Sequence, residues 1–470
     1  MPTSTRGLLP EGDGDLDSFD RLRDAASRAI GGSPVDFLEV RIEKKHLMEV
    51  LQVGKELDRA TDHRETGAYV RALVDGSWGS AWLPADGNVP EAIELACLLA
   101  RERGAGPVAL AECPASRGVF DPPVIEPLAD VTTREKVFLC RRYSELLAST
   151  IRQASTRVHF RQVLGARAVL NSRGTDVLER HSLCGLRMEA VGGQHKTHVS
   201  RDIAYRGGFE FVRHREDLVE QMVESLAERD TSRTVETGPC SVVIDPQLAG
   251  VLVHEAFGHV SEADFLIANP VVSDALRRGR KIGVESLSIV DDATHFGLPG
   301  SCAYDDEGVP GQRTQLVSAG RIVDRMHSLE TAGMMGEKST GNARALDHMH
   351  PPSVRMSCTY VEPGSRSLDA LLGQMGRGLY LRGSLGGATD MSRFSFTAEE
   401  ARTVSGGRIR KPLRPVTISG RVFDVLMSIA AVGNDLSLHS SIGGCSKGEQ
   451  RFMPVSYGGP HLLLEGMEVS

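Results

Sequence analysis

An α+β fold is the expectation for this 470-residue chain. It has an N-terminal domain of long antiparallel strands with flanking helices, then a C-terminal β-rich domain carrying a metal-binding helix. Three observations predict it. Long extended runs joined by polar turns fill the first half, helical periodicity brackets those runs, and beyond residue 237 the chain turns glycine-rich with short strand-like runs.

Residues 1–17 are polar and are expected to be a disordered extension. Phe19, Leu22, Ala25, Ala26 and Ala29 then recur at helical intervals up to Gly31-Gly32. Phe37 to Val53 reads as one or two strands. Ala68 to Val74 alternates, and Asp75-Gly76 is a hairpin turn before Trp78 to Leu83. Asn88-Val89-Pro90-Glu91 opens a helix that runs through Ala100. A proline-rich connector leads to Thr132-Thr133-Arg134-Glu135, which starts a second helix ending near Ser149. Thr156–Leu170, Val177–Ala190 and His198–His214 follow as long strands, the first two joined at Asn171-Ser172-Arg173-Gly174. Arg215 to Arg229 returns to an amphipathic helix.

The domain boundary is expected at Thr237-Gly238-Pro239, dividing an N-terminal domain, 18–236, from a C-terminal one, 237–470. Short strands are expected at Val242–Ile244, Val354–Tyr360 and Val416–Ile418, and a short helix near Ser367–Leu372.

Composition bounds the function. Apolar and charged fractions of 40% and 25% describe an ordinary globular chain. The net charge of −8 offers no footprint for nucleic acid. No apolar run is long enough for a signal peptide or a membrane span. Eight cysteines stand singly, without a C-x-x-C pair, which points to reduced thiols and a cytoplasmic protein.

The stretch with most chemistry is Val253-His254-Glu255-Ala256-Phe257-Gly258-His259. Imidazole is a ligand for borderline metals, and a Glu beside a ligand His is the usual place for a general base. The His-Glu-x-x-x-His spacing is one residue longer than the common zinc helix signature. At about 100° per residue, i and i+5 lie about 140° apart on a regular α-helix, so the two rings cannot share an ion there. Either a π-turn aligns them or Gly258 lets the helix unwind. The plain alternative is a buried helix with one packed and one exposed histidine.

Other stretches are weaker alone. Glu262 is a candidate to orient an imidazole. Asp305-Asp306-Glu307 is better read as turn-forming acids than as a hard-cation site. Asn342 and Arg344, in a glycine-bearing polar loop, and Asp390, after Gly386-Gly387, are candidate substrate contacts. Cys445 sits between Gly444 and Ser446-Lys447 on a tight turn, where Lys447 is expected to favour a thiolate.

The His-Glu stretch, Glu262-Ala263-Asp264-Phe265, Asp305-Asp306-Glu307-Gly308, Ser339-Thr340-Gly341-Asn342, Val432-Gly433-Asn434-Asp435-Leu436 and Cys445 occur in one order. Together they resemble the TldD/PmbA family of metallopeptidases, on its TldD side. The resemblance implies a zinc-dependent peptidase in which His254, His259 and Cys445 hold Zn²⁺ and Glu255 is the base. It implies a PmbA/TldE-like partner subunit, or a second copy, around a chamber that admits unfolded or modified peptides. The chain departs from the family at Cys445-Ser446-Lys447, at Gly386-Gly387-Ala388-Thr389-Asp390 and at Gly341-Asn342-Ala343-Arg344-Ala345, all flanking the expected cleft. Two rivals remain: hydrolysis of an amide or peptidyl conjugate in a biosynthetic pathway, and a metal-stabilised scaffold without catalysis.

Overall fold

The computed structural model describes residues 14–32, 35–193, 196–229, 233–389 and 393–470. It is an α+β structure. Helix α1 (Gly14–Ala29) begins within the expected polar extension, so residues 14–17 are its first turn, while residues 1–13 lie outside the described residues.

Seven strands form the N-terminal sheet. They are β1 (Phe37–Val53), β2 (Glu56–Val74), β3 (Ser77–Pro84), β4 (Arg117–Phe120), β5 (Ser155–Asn171), β6 (Asp176–Gly192) and β7 (Thr197–Arg206). Their order is β3-β2-β1-β5-β6-β4, with β7 also on β6, and only the β4–β6 pair is parallel. The short β4 lies in the proline-rich connector and carried no periodic pattern of its own. The first nine residues of β2 carry charge on both faces and are exposed, which hid them as a strand; charges of this kind guard an open edge. The strand expected over His198–His214 stops at Arg206, where Gly207-Gly208 breaks the ladder and a 3₁₀ turn, Phe209–Phe211, buries Phe209.

One face of this sheet is apolar. Leu38, Val40 and Ile42 of β1 and Ala166 and Ala168 of β5 pack under α1 and α2 (Val89–Glu102). Farther along the same strands, Met48, Val50, Val158 and Phe160 pack under α3 (Thr133–Thr150) and α4 (Glu216–Arg229). Thr132 and Glu135 close a capping box at the start of α3. The alternate residues of β1, such as Glu39, Arg41, Glu43 and Lys45, face the other way. Glu39 and Arg41 are nevertheless 1% exposed, because the C-terminal half covers them. Buried ion pairs fasten the halves: Arg71 to Glu307 at 2.7 Å, Arg167 to Asp306 at 3.0 Å and Arg201 to Glu399 at 2.8 Å.

The C-terminal half holds two main sheets. In one, β8 (Gly238–Ile244) lies between the strands Arg377–Thr389 and Leu462–Val469. Pairing of Arg377–Thr389 with Arg393–Ser405 closes that sheet on itself. The other runs through Ile289–Asp292, Cys358–Val361 and Ser456–Gly459. Helix α5 (Pro246–Val253) packs between the two. The strand expected over Val354–Tyr360 is two strands in different sheets, Ser353–Val354 and Cys358–Val361, because the side chains of Arg355 and Met356 are both needed in the interior between them. The expected short helix is present as Leu368–Met375, and further short helices stand at Ala263–Ala268, Pro270–Ala275, Leu329–Met335 and Val422–Val425. All eight cysteines are free. Among the described residues no helix is long and apolar enough to cross a membrane.

Candidate metal centre

Asp245 caps α5 by accepting the Leu248 N–H at 2.9 Å, and an apolar face then carries the helix between the sheets. The extra residue in the histidine spacing is absorbed immediately after it. His254–Gly258 forms a π-turn, in which the His259 N–H donates to the His254 carbonyl, and His259–Ser261 tightens to 3₁₀. Gly258 keeps right-handed helical angles, φ −54° and ψ −57°, so the helix does not unwind there. Its missing side chain makes room instead for Met356, whose Sδ lies 2.1 Å from where a Cβ would stand.

The π-turn brings the two imidazoles to one side, ring centroids 5.1 Å apart and nearly perpendicular. Cys445 meets them from 191 residues away. Its Sγ lies 3.2 Å from His254 Nε2 and 3.4 Å from His259 Nε2. Around a tetrahedral Zn²⁺ with ordinary bond lengths, sulfur and nitrogen ligands stand about 3.6 Å apart. The donor atoms lie within 4.8 Å of one another, and two nitrogens and a sulfur are a donor set that suits such an ion.

The electrostatics agree. Burial opposes a thiolate at Cys445, but the His254 and His259 imidazoles outweigh it and bring the thiol down to about 5. Burial likewise disfavours an imidazolium at His259, yet Cys445 and Glu262 raise it to about 10. The cluster therefore favours a positive charge held between a thiolate and the rings.

Glu262 is 1% exposed and stands behind His259, its Oε1 3.6 Å from Nδ1. Lys447 holds that carboxylate at 2.7 Å and also reaches Asp264 at 2.8 Å and the Val354 carbonyl at 2.9 Å. Lys447 thus braces Glu262, and the imidazoles, not this ammonium, lower the Cys445 thiol. The loop before Cys445 is pinned to the N-terminal sheet. Ser440 Oγ donates to the Ala204 carbonyl, and the Ile442 N–H donates to Asp202 at 2.8 Å. Ile442 lies on Gly185 of β6, where a Cβ would stand 2.1 Å from its Cγ2. Arg355, also 1% exposed, donates to the Cys445 carbonyl at 3.2 Å. No spacing or motif marked Arg355 or Asp202.

Glu255 is half-buried and lines a cleft with His254. Gln247 and Tyr457 lie on its own side, Ser384–Gly387 along one edge, and Arg187, Glu189 and Asp202 of β6 and β7 face it. Two sequence candidates do not reach this cleft. Arg344 spends its guanidinium on the Met356 and Pro454 carbonyls, each at 2.7 Å. Asn342 is 2% exposed and is consumed by Asp291, Arg355 and Thr340. Asp390 lies outside the described residues. Asp305 forms the expected turn, accepting the Glu307 and Val309 N–H groups at 2.9 Å each. A second group, Asp324, His327 and Glu337, is occupied by Arg278 and Arg325.

Comparison with known proteins places these observations. The profile of the PmbA/TldA metallopeptidase C-terminal domain matches residues 237–470, and that of the central domain residues 126–233. A metalloprotease of Synechocystis is 33% identical over 442 residues, 93% of this chain and 95% of that protein. A zinc metalloprotease TldD homolog of Saccharolobus solfataricus is 32% identical over 53% of this chain and 57% of its own length. The crystal structure of TldE from Thermococcus kodakarensis superposes with a TM-score of 0.75 at 20% identity, over 96% of this chain and 100% of that one; at that identity it speaks for the fold.

Proposed function

The chain belongs to the TldD/PmbA family of metallopeptidases, and from that premise we propose that it is a zinc-dependent peptidase acting on unfolded or modified peptides. One observation carries this reading: Cys445 Sγ lies 3.2 and 3.4 Å from the Nε2 atoms of His254 and His259, all three donors within 4.8 Å of one another, beside a cleft that Glu255 lines. These three residues would hold Zn²⁺, which supplies a Lewis acid and acidifies water. Glu262 orients the His259 ring through Nδ1. Glu255 accepts a proton from the attacking water and returns it to the leaving nitrogen. A structural zinc site has no use for such a base, so Glu255 disfavours a scaffold.

The strand Arg377–Thr389 supports a peptide substrate. Its register slips between Ser384 and Gly387 beside the cleft, and β8 pairs with it only at Leu379–Leu381. Asp245 takes the Gly383 N–H at 3.0 Å, so it is the edge beyond Gly383 that is left, among the described residues, for an extended chain to add to. In this reading the chain is the catalytic member of a pair, completed by a PmbA/TldE-like subunit or a second copy, and works in the cytoplasm. The likeness to a TldE fold supports such a pairing, and native mass spectrometry of the purified protein distinguishes the two partners.

Glu255→Gln tests the mechanism. Zinc should be retained and peptide cleavage lost by about 10²–10⁴-fold. Undiminished cleavage, or Cys445→Ala that still binds one zinc, would overturn the respective assignments.

A further inference from the structure

The Ile442 loop divides the groove between the two halves of the molecule. On one side lies the metal cleft. On the other a second cavity opens over β1, β5 and β6, and Ser441 lines both. Its far wall is the strand Gln450–Met453, which returns from the metal ligand: Met453 stands opposite Cys445 in that hairpin. One strand spacing, about 5 Å, therefore separates the ligand strand from the wall of the second cavity.

Resting on the peptidase reading above, we propose that this second cavity is a subsite for an acidic group of the bound peptide, read by Arg161 and Arg451. Its lining holds six cations, Lys45, Arg161, Arg167, Arg206, Arg344 and Arg451, against four acids, Glu43, Glu179, Asp305 and Asp306. The pairing is uneven. Asp306 and Glu179 neutralise Arg167 and Arg206, whereas Arg344 meets only carbonyls. Arg161 donates through Nη1 to the Ile442 carbonyl at 3.3 Å and forms a long ion pair with Glu49 at 3.6 Å, while its buried Nε has no hydrogen-bond partner. Arg451 is exposed and forms no ion pair among the described residues. Two lining acids have no cation within ion-pair distance among the described residues. Asp305 turns its oxygens to the Glu307, Val309 and Ala343 N–H groups. Glu43 is pushed up to about 7 by burial, so near neutrality it opposes an anion only in part and can donate to one.

The backbone adds an independent mark. Phe452, next to Arg451, is held at φ +59° and is 59% exposed at the same cavity. A bulky residue in the left-handed region is uncommon, and such strain gathers where a side chain is aimed at a ligand. Here it presents an aromatic ring beside the cationic rim, where it would cover the apolar stem of an acidic side chain.

The experiment uses the full-length, zinc-loaded protein with any subunit that co-purifies. The probes are quenched fluorescent peptides of one sequence carrying Glu, Gln or Lys at each position flanking the cleaved bond. Glu should exceed Gln by about tenfold in kcat/KM at one position, with Lys below both. Arg161→Gln and Arg451→Gln should each bring the Glu/Gln ratio toward one. Matched peptides ending in a free carboxylate or an amide separate a side chain from a chain terminus as the source of the anion. Fluorescence anisotropy on the zinc-loaded Glu255→Gln protein should give the same ranking in Kd without turnover, so the subsite can be judged even if the peptidase reading fails. Equal Kd values for Glu and Gln peptides at every position, or a ratio that survives in both arginine variants, would overturn the proposal.

Discussion

The His259 N–H donates to the carbonyl of His254, five residues back, and that one bond turns both Nε2 atoms toward Cys445 Sγ. A regular α-helix would hold the rings about 140° apart. The π-turn adds the residue without breaking the helix, so His259 remains rigidly tied to α5 and presents its other nitrogen to Glu262.

That contact makes Glu262 a positioning residue. Glu262→Gln should weaken zinc binding about 10–100-fold, with Lys447 still anchored on Asp264 and Val354. Competition against a chromogenic chelator reads the affinity. An unchanged value would mean that His259 is oriented without this carboxylate.

The loop carrying Cys445 depends on a bare patch of strand. In Gly185→Val the new side chain occupies the place of Ile442 Cγ2 and should displace the loop at a cost of about 1–3 kcal/mol. Zinc content should fall while the far-UV circular dichroism is kept. Ile442→Ala in the same chain should restore part of the zinc; a single variant with full zinc would refute the coupling.

Glu179 pairs with Arg167 and Arg206 within the N-terminal sheet and meets the other half by accepting the Ala303 and Tyr304 N–H groups at 3.2 and 3.1 Å. Burial disfavours its carboxylate, but the two guanidinium groups outweigh that and hold it down to about 2, against 4.5 unperturbed. Its contribution is complete above about pH 4.5 and is lost as pH falls toward about 2. Glu179→Gln should therefore destabilise the protein by about 3–5 kcal/mol at pH 7, and the gap from wild type should narrow across that acid window in denaturant titrations.

Glu43 has the opposite sign. Burial raises its carboxyl from 4.5 to about 7, so the folded state loses stability as pH rises through that interval. Glu43→Gln should leave stability near pH 4.5 unchanged and raise it by up to about 3 kcal/mol above pH 7. Thermal unfolding at pH 5 and pH 8 reads the difference, and an equal effect at both would contradict it.

Much of this molecule is legible in local pattern. Apolar residues alternating with charged ones made strands of β5 and β6, Thr132 and Glu135 announced α3, and the five-residue interval between His254 and His259 required a distorted helix if the two rings were to share an ion. Each of these is a short-range rule of backbone geometry. What pattern did not carry depends on which distant surfaces meet. The charged alternate residues of β1 are buried only because the C-terminal half covers them. Arg344 turned to carbonyls, away from the cleft, and Lys447 to Glu262, away from the thiol. The third donor reaches the histidines only because Ile442 fits against Gly185, a contact between residues more than 250 positions apart. The sequence by itself determined the helix, its spacing and the donor types; tertiary packing decided that one loop, among several with suitable residues, closes the site.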